Sequence, residues 1–291
     1  MTYVVGYSPH KDDQGALELA CEFARSQAAP LRAVTVVPHG WGTPVAGDTD
    51  REYEQWAAAE GEASAKLALQ HLAKHPDIEV EAVWVSARSV PQALLEQAET
   101  VGAQLLVVGS GDSAERGRVA LSSKTERLLH SSSVMVALAP RDYRPEPDSR
   151  ITRVTLAFRD DDATWQLLDR AAEICRQVGA ELRLVTVAVK QRSLVTSPVR
   201  GDEKLVYAQL LGQVQSAQAE AVDHLAKVGM TAAAEVAGGE SWAEALATVS
   251  WRAGDLMVVG SSRTHPLANV FLGSSASKIA RNSPVPVLVV A

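Results

Sequence analysis

Cysteine is nearly missing from this 291-residue chain: only Cys21 and Cys175 occur, each on an expected helix with no second cysteine nearby. Neither a disulfide framework nor a thiolate metal site can be built from that supply, and both read as small buried hydrophobes. An excess of positive charge is also lacking. Lys and Arg number 28 against 35 Asp and Glu, for a formal charge of −7 and a pI near 5.6, which argues against a surface that coats phosphate backbones. No stretch approaches the ~18 uninterrupted apolar residues of a membrane span, and the opening MTYVVGYSPHKDDQG has neither a basic n-region nor a long apolar run. The expected partners therefore include neither nucleic acid nor a membrane, and the expected location is cytoplasmic. What is plentiful is apolar side chain, 46 % of residues, at a length that suits one large domain or two ordinary ones.

The chain repeats itself at a fixed offset. Leu31-Arg32-Ala33-Val34-Thr35-Val36 returns as Leu182-Arg183-Leu184-Val185-Thr186-Val187, and Leu105-Leu106-Val107-Val108-Gly109-Ser110 as Leu256-Met257-Val258-Val259-Gly260-Ser261. Both pairs of blocks lie 151 positions apart. With a chance match at roughly one position in fifteen, five identities in each six-residue block indicate a tandem duplication. Residues 1–140 and 151–291 are the expected domains, and the charged, proline-rich 141–150 the linker. Two similar halves suggest packing about a pseudo-two-fold axis, as subunits of a homodimer would pack; further association into a homo-oligomer stays open.

Within the first half, Tyr3–Tyr7, Leu31–Val37, Ile78–Val85, Leu105–Gly109 and Val134–Leu138 are short apolar runs of strand length. Helical patterns at Gln14–Ala28, Tyr53–Lys74, Val90–Val101 and Ser123–His130 separate them. The second half offers Val154–Phe158, Leu182–Val189, Thr231–Val236, Leu256–Gly260 and Val285–Val290 in the same order. Near-continuous apolar strands alternating with helices predict an α/β fold: two open five-stranded parallel sheets, each covered on both faces. A single continuous sheet would overturn the reading of two joined copies. Ligands of such domains bind beyond the carboxyl ends of the strands, where strand order reverses.

The loop from Gly260 to Gly273-Ser274-Ser275 leaves an expected fourth strand and enters the last expected helix. Glycines there let backbone N–H groups approach an anion, and a helix N-terminus adds roughly half a positive charge. Here the sequence resembles the universal stress protein family, whose signature runs Gly, two residues, Gly, nine residues, Gly, then Ser or Thr. Gly260 and Gly273-Ser274 match, while Arg263 stands where the second glycine belongs; Asn282-Ser283-Pro284-Val285-Pro286-Val287 also looks like the family's final strand. The resemblance covers the chain twice and implies tandem domains, a non-catalytic role in stress response and, in part of the family, ATP binding. In the first half the matching positions are Gly109, Asp112 and Ser122-Ser123, so two glycines are gone and a carboxylate faces the expected phosphates. The aspartate that resembling ATP binders carry after the first strand is replaced by Ser8 and Arg159.

If only one half binds an anion, the second is the expected one, because Arg159, Lys190, Arg192, Arg200 and Arg263 all follow strands and would gather at the carboxyl edge, although solvated surface charges are the favoured reading of the same residues. That solvated set is partly neutralised by Asp160–Asp162, which also read as a helix cap. ATP or another anionic small molecule is the expected ligand, with a scaffold whose two sites have decayed as the alternative and a slow ATPase as a third reading. Gly109-Ser110-Gly111-Asp112-Ser113-Ala114 satisfies a dinucleotide pattern by coincidence, since it follows a fourth strand and not the first of a βαβ unit. His71 and His75 stand four apart as zinc ligands can, yet no third ligand suggests itself, so they read as solvent-facing and no metal is expected. Trp56, Trp165, Trp242 and Trp251 are expected on helices, covering the sheet or the seam between halves. No nucleophile is visibly paired with a base.

Overall fold

The structure is a computed structural model that describes residues 2–9, 14–39, 49–189, 202–261 and 272–290. In the first half the elements are β1 (Tyr3–Tyr7), α1 (Gly15–Gln27), β2 (Leu31–Pro38), α2 (Thr49–Leu72), β3 (Val80–Ala87), α3 (Val90–Thr100), β4 (Leu105–Gly109), α4 (Ser123–Ser131) and β5 (Met135–Ala139). The second half repeats them as β6 (Arg153–Ala157), α5 (Asp162–Val178), β7 (Glu181–Val189), α6 (Asp202–Lys227), β8 (Ala232–Gly239), α7 (Trp242–Ala247), β9 (Asp255–Gly260), α8 (Ser274–Asn282) and β10 (Val287–Val290).

Local chemistry sets the boundaries. Ser89 caps α3 by accepting the Gln92 N–H, with Pro91 in the first turn, where a missing N–H costs nothing. Asp161 caps α5 the same way through the Thr164 N–H, which is the capping role the acidic run suggests. α5 ends at Gly179 with φ 69°, a left-handed conformation that glycine adopts freely.

The strands alternate strictly between two cores. Tyr3, Val5 and Tyr7 of β1 face one core and Val4 the other; Leu288 and Val290 of β10 divide from Val287 and Val289 in the same manner. Helices α1, α2, α5 and α6 contribute to the first core, and α3, α4, α7 and α8 to the second. Both faces are thus covered, which accounts for strands with hardly a polar residue. Cys21 and Cys175 are buried free thiols in the first core, with burial pushing each up to about 12.

One expectation is corrected here. The halves do not keep separate sheets: ten strands form a single sheet in the order β3-β2-β1-β4-β5-β10-β9-β6-β7-β8. Every pairing is parallel except β5 with β10, where Leu138, Ala137 and Val136 face Val287, Leu288 and Val289 in antiparallel register. Continuity leaves the duplication intact, because the strand order reads the same from either end, as a two-fold relation requires. The physical reason is edge satisfaction. Both β5 and β10 would otherwise present bare backbone groups along apolar strands. Trp165 on α5 and Trp242 on α7 pack against the two cores as expected, while the other two tryptophans depart from expectation. Trp56 on α2 is 50 % exposed, and Trp251 lies beyond α7, where its ring sits 4.9 Å under the Arg183 guanidinium and its Nε1 donates to the Leu246 carbonyl.

Segment 141–150 docks closely on α1. The Tyr143 hydroxyl donates to Glu22 Oε2 at 2.5 Å, Arg25 Nη1 donates to the Ser149 carbonyl at 3.0 Å, and the Ile151 N–H reaches Ser26 Oγ at 2.9 Å. Burial raises Glu22 above its ordinary value of 4.5, against the lowering effect of Tyr143. The folded state therefore holds a proton that the unfolded chain has already released, so this group's contribution to stability declines as pH climbs from 4.5 toward the raised value. Glu22→Gln should raise the urea midpoint at pH 7 and flatten the decline with pH above 4.5; an unchanged slope would remove Glu22 as its source.

At the amino end of the second half, Asp255 is fully buried and takes both Arg153 Nε at 2.7 Å and Nη2 at 2.6 Å. Arg183, also buried, donates to Thr155 Oγ1 and the Ser250 carbonyl, 3.8 Å from Asp255. Removing the buried carboxylate leaves the buried Arg183 beside the half-buried Arg153, with Glu235, itself 38 % exposed, 3.8 Å from Arg183 as the remaining acid. Asp255→Ala should cost about 3–5 kcal/mol, read as a lower denaturant midpoint, whereas a loss inside ~1 kcal/mol would mean that water reaches the cluster.

Candidate functional site

In the first half, strand order reverses between β1 and β4, and a cavity of about 870 Å3 opens there at the carboxyl ends of the strands. That volume lies within the ~300–1,000 Å3 typical of small-molecule pockets. Its floor is apolar, with Leu17 of α1, Val36 of β2, Leu94 of α3 and Leu128 of α4. Polar groups gather on the rim: Ser8 after β1, His39 after β2, Arg88 and Ser89 after β3, Gly109 and Asp112 after β4, and Ser122, Ser123, Lys124 and Arg127 at the start of α4. α2 adds Trp56, Glu60 and Ser64, so the exposed indole has a place as a wall of the cavity.

Gly109, Ser122 and Ser123 are therefore brought together. Ser122 caps α4, its Oγ accepting the Thr125 N–H at 3.1 Å, and Ser122, Ser123 and Lys124 at this helix start all line the cavity. Arg88, Lys124 and Arg127 escape the glycine motif. Their signal was positional: Arg88 follows β3, and Lys124 and Arg127 lie in the first half of α4, at the carboxyl edge of the sheet.

The segment between β4 and α4 is closed on itself. The Gly111 N–H donates to the Ala120 carbonyl at 2.9 Å, and the Ala120 N–H to Ser110 Oγ at 2.8 Å. A Cβ on Gly111 would lie 3.1 Å from that same carbonyl, so this glycine serves the loop's own closure. Gly117 supplies the left-handed turn, with φ 72°. Arg141 then fastens the loop from outside: its Nη1 donates to the Asp112 and Ala114 carbonyls at 3.1 and 2.9 Å, and its backbone pairs with Gly117 and Arg118. Between Gly109 and Ser122 the chain is thus held by its own bonds and by Arg141.

In the second half, Gly260 ends β9, Gly273 is the N-cap of α8, and Ser274 and Ser275 begin that helix. A Cβ on Gly260 would lie 3.0 Å from Leu167 Cδ2, so a larger residue there would require that leucine of α5 to shift by a few tenths of an ångström. Arg159 is 69 % exposed and bonded to the α5 cap Asp161, which makes it partly a capping partner. Lys190, Arg192, Arg200 and Arg263 lie outside the described residues. His71 and His75 are not solvent-facing: both rings are largely buried beside Glu18 of α1, a partner 53 residues away from His71 in sequence.

A model of the universal stress protein family matches residues 1–140 and again 150–291. The chain belongs to the universal stress protein family. Universal stress protein Rv2319c of Mycobacterium tuberculosis is 36 % identical over 293 aligned positions, covering 99 % of both chains, and Mb2346c of Mycobacterium bovis matches equally. Among solved structures, a universal stress protein from Archaeoglobus fulgidus superposes with a TM-score of 0.59 at 16 % identity, covering 99 % of this chain and 95 % of that one. A functionally unknown protein from Pseudomonas aeruginosa gives 0.60 at 14 %, covering 99 % and 92 %. These structures share the fold.

In this universal stress protein the pinned loop stands where the family motif would run. Arg141→Ala removes two charge-assisted hydrogen bonds, together worth about 1.5–3 kcal/mol or more. Amides 112–120 should then exchange with solvent about ten- to a hundredfold faster while β1 and β4 keep their protection. Uniform acceleration across the first half would mean instead that Arg141 supports the whole domain.

Proposed function

We propose that this universal stress protein is a cytoplasmic, non-catalytic stress-response module that binds ATP or another anionic small molecule at the carboxyl edges of its sheet. Residues 1–140 and 151–291 are taken as its two domains, with 141–150 as the docked linker. The observation that carries the reading is the first-half cavity, where an apolar floor large enough for a nucleobase and sugar meets Arg88, Lys124, Arg127 and the start of α4. The sequence favours the second half, through Gly260, Arg263 and the Gly273-Ser274-Ser275 opening of α8. The two sites call for separate tests.

A scaffold that works without nucleotide draws support from the same region. A loop whose Gly111, Gly117 and Ala120 N–H groups already donate to the Ala120 carbonyl, the Arg141 carbonyl and Ser110 Oγ has fewer of them to offer a phosphate chain, and Asp112 and Glu60 add like charge at the cavity.

Equilibrium titration of the full chain with labelled ATP distinguishes these readings. Saturable binding is expected, weakened about tenfold or more by Lys124→Glu if the first half is the site, since a charge-assisted contact contributes ~1.5–3 kcal/mol. Weakening by Arg263→Asp alone would assign the site to the second half. Absence of saturation at millimolar ATP supports the scaffold, and turnover above background that disappears on changing Gly273 or Ser274 would make the protein an enzyme.

A further inference from the structure

We propose that Glu18, His71 and His75 form a binding site for one divalent transition-metal ion of the zinc type, separate from the cavity. His71 lies in the last turn of α2 and His75 just beyond it, four residues on, with ring centroids 6.3 Å apart. α1 supplies the carboxylate: Glu18 Oε1 is 2.7 Å from His71 Nε2, and Oε2 is 3.5 Å from His75 Nε2. One ligand atom from each residue lies within 4.8 Å of the others. Donors around a tetrahedral ion with bonds of ~2.0–2.2 Å stand about 3.3–3.5 Å apart, so modest side-chain rotation closes the set.

A second observation points to a ligand. His75 Nε2 is buried and has no hydrogen-bond partner, although it faces the Glu18 carboxylate. An unsatisfied buried nitrogen is costly, and a metal ion would satisfy it. The three side chains are 20 %, 12 % and 13 % exposed, shielded from bulk water but within its reach, which leaves room for a solvent ligand in a fourth position. Two imidazoles and one carboxylate favour zinc, cobalt or nickel over magnesium and calcium, which prefer oxygen alone.

Arg25 sets the condition for binding. Its Nη2 lies 3.2 Å from His75 Nδ1, and a guanidinium can only donate, so the imidazole proton sits on Nε2 when no metal is bound. Coordination at Nε2 moves that proton to Nδ1 and breaks the Arg25 contact. The guanidinium keeps Asp77 at 2.7 Å and the Ser149 carbonyl at 3.0 Å, so it can yield without losing all its partners. The ion would clamp α1 to the end of α2, two helices that also wall the cavity through Leu17 and Ser64.

Calorimetric titration of the metal-stripped full chain with zinc chloride tests the site. One ion per chain is expected, with Glu18→Gln and His71→Ala each weakening binding by more than about tenfold, the lower end of what even an outer-shell loss costs. Unsaturable uptake, or a stoichiometric site unaffected by His71→Ala, overturns the proposal. Should either variant unfold, cobalt on the wild-type chain decides. Strong visible absorption of a four- or five-coordinate site supports it, and the weak spectrum of the hydrated ion refutes it.

Discussion

An open sheet buried on both faces has bare edges, and here the apolar edge strands β5 and β10 pair with each other while β3 and β8 remain the outer edges. β5 and β10 each carry alternating apolar residues into two cores, so neither can be blunted with charge without spoiling one of them. Duplication supplies a partner of matching length and character, and antiparallel pairing of Met135–Ala139 with Val287–Val290 closes both edges at once. The two cores then run unbroken through both halves, with α1 against α5 on one face. The remaining architecture follows from that seam.

Because the seam is antiparallel while each half is internally parallel, the carboxyl ends of β1–β5 and of β6–β10 point in opposite directions. The carboxyl edges of the two halves therefore lie on opposite sides of the sheet. Residues at one cannot complete the other, so each has diverged alone. In the first half the loop after β4 has folded onto Ser110, Gly111 and Arg141; in the second, Arg159 has turned to the α5 cap. The same separation appears in buried charge. The repeated block places Arg32 and Arg183 at equivalent strand positions. Arg32 reaches Glu81 near the surface, while Arg183 is buried over the Trp251 ring beside the Arg153–Asp255 pair.

Much of the fold was legible because it rests on local periodicity. Two-residue alternation and strand-length apolar runs located β1, β4 and the α1 face, and the 151-residue offset revealed the duplication. Fusion of the sheets was not legible, since an apolar edge strand looks the same in sequence whether it meets a twin or a covering loop. Ser122, Ser123 and Gly109 could be found from a motif that marks the carboxyl edge. Arg88 and the walls from α2 belong to no motif and become neighbours only through the βαβ winding. Glu18 illustrates the limit most sharply: the histidines are four apart and readable, but the acid that joins them comes from another helix.

The pinned loop also determines how an anion could be recognised at all in the first half. Backbone N–H groups arrayed by glycines read the shape of a phosphate chain, because their directions are fixed. Gly111 and Ala120 have committed theirs to the loop's internal bonds, and Arg141 holds that arrangement from a segment outside the domain's last strand. What remains are side-chain cations on flexible stems at Arg88, Lys124 and Arg127, which respond to charge more than to geometry. Selectivity in that cavity must then reside in its apolar floor, where Leu17, Val36, Leu94 and Leu128 set the shape available to the uncharged part of a ligand. Such a pocket would discriminate among ring systems more sharply than among numbers of phosphates.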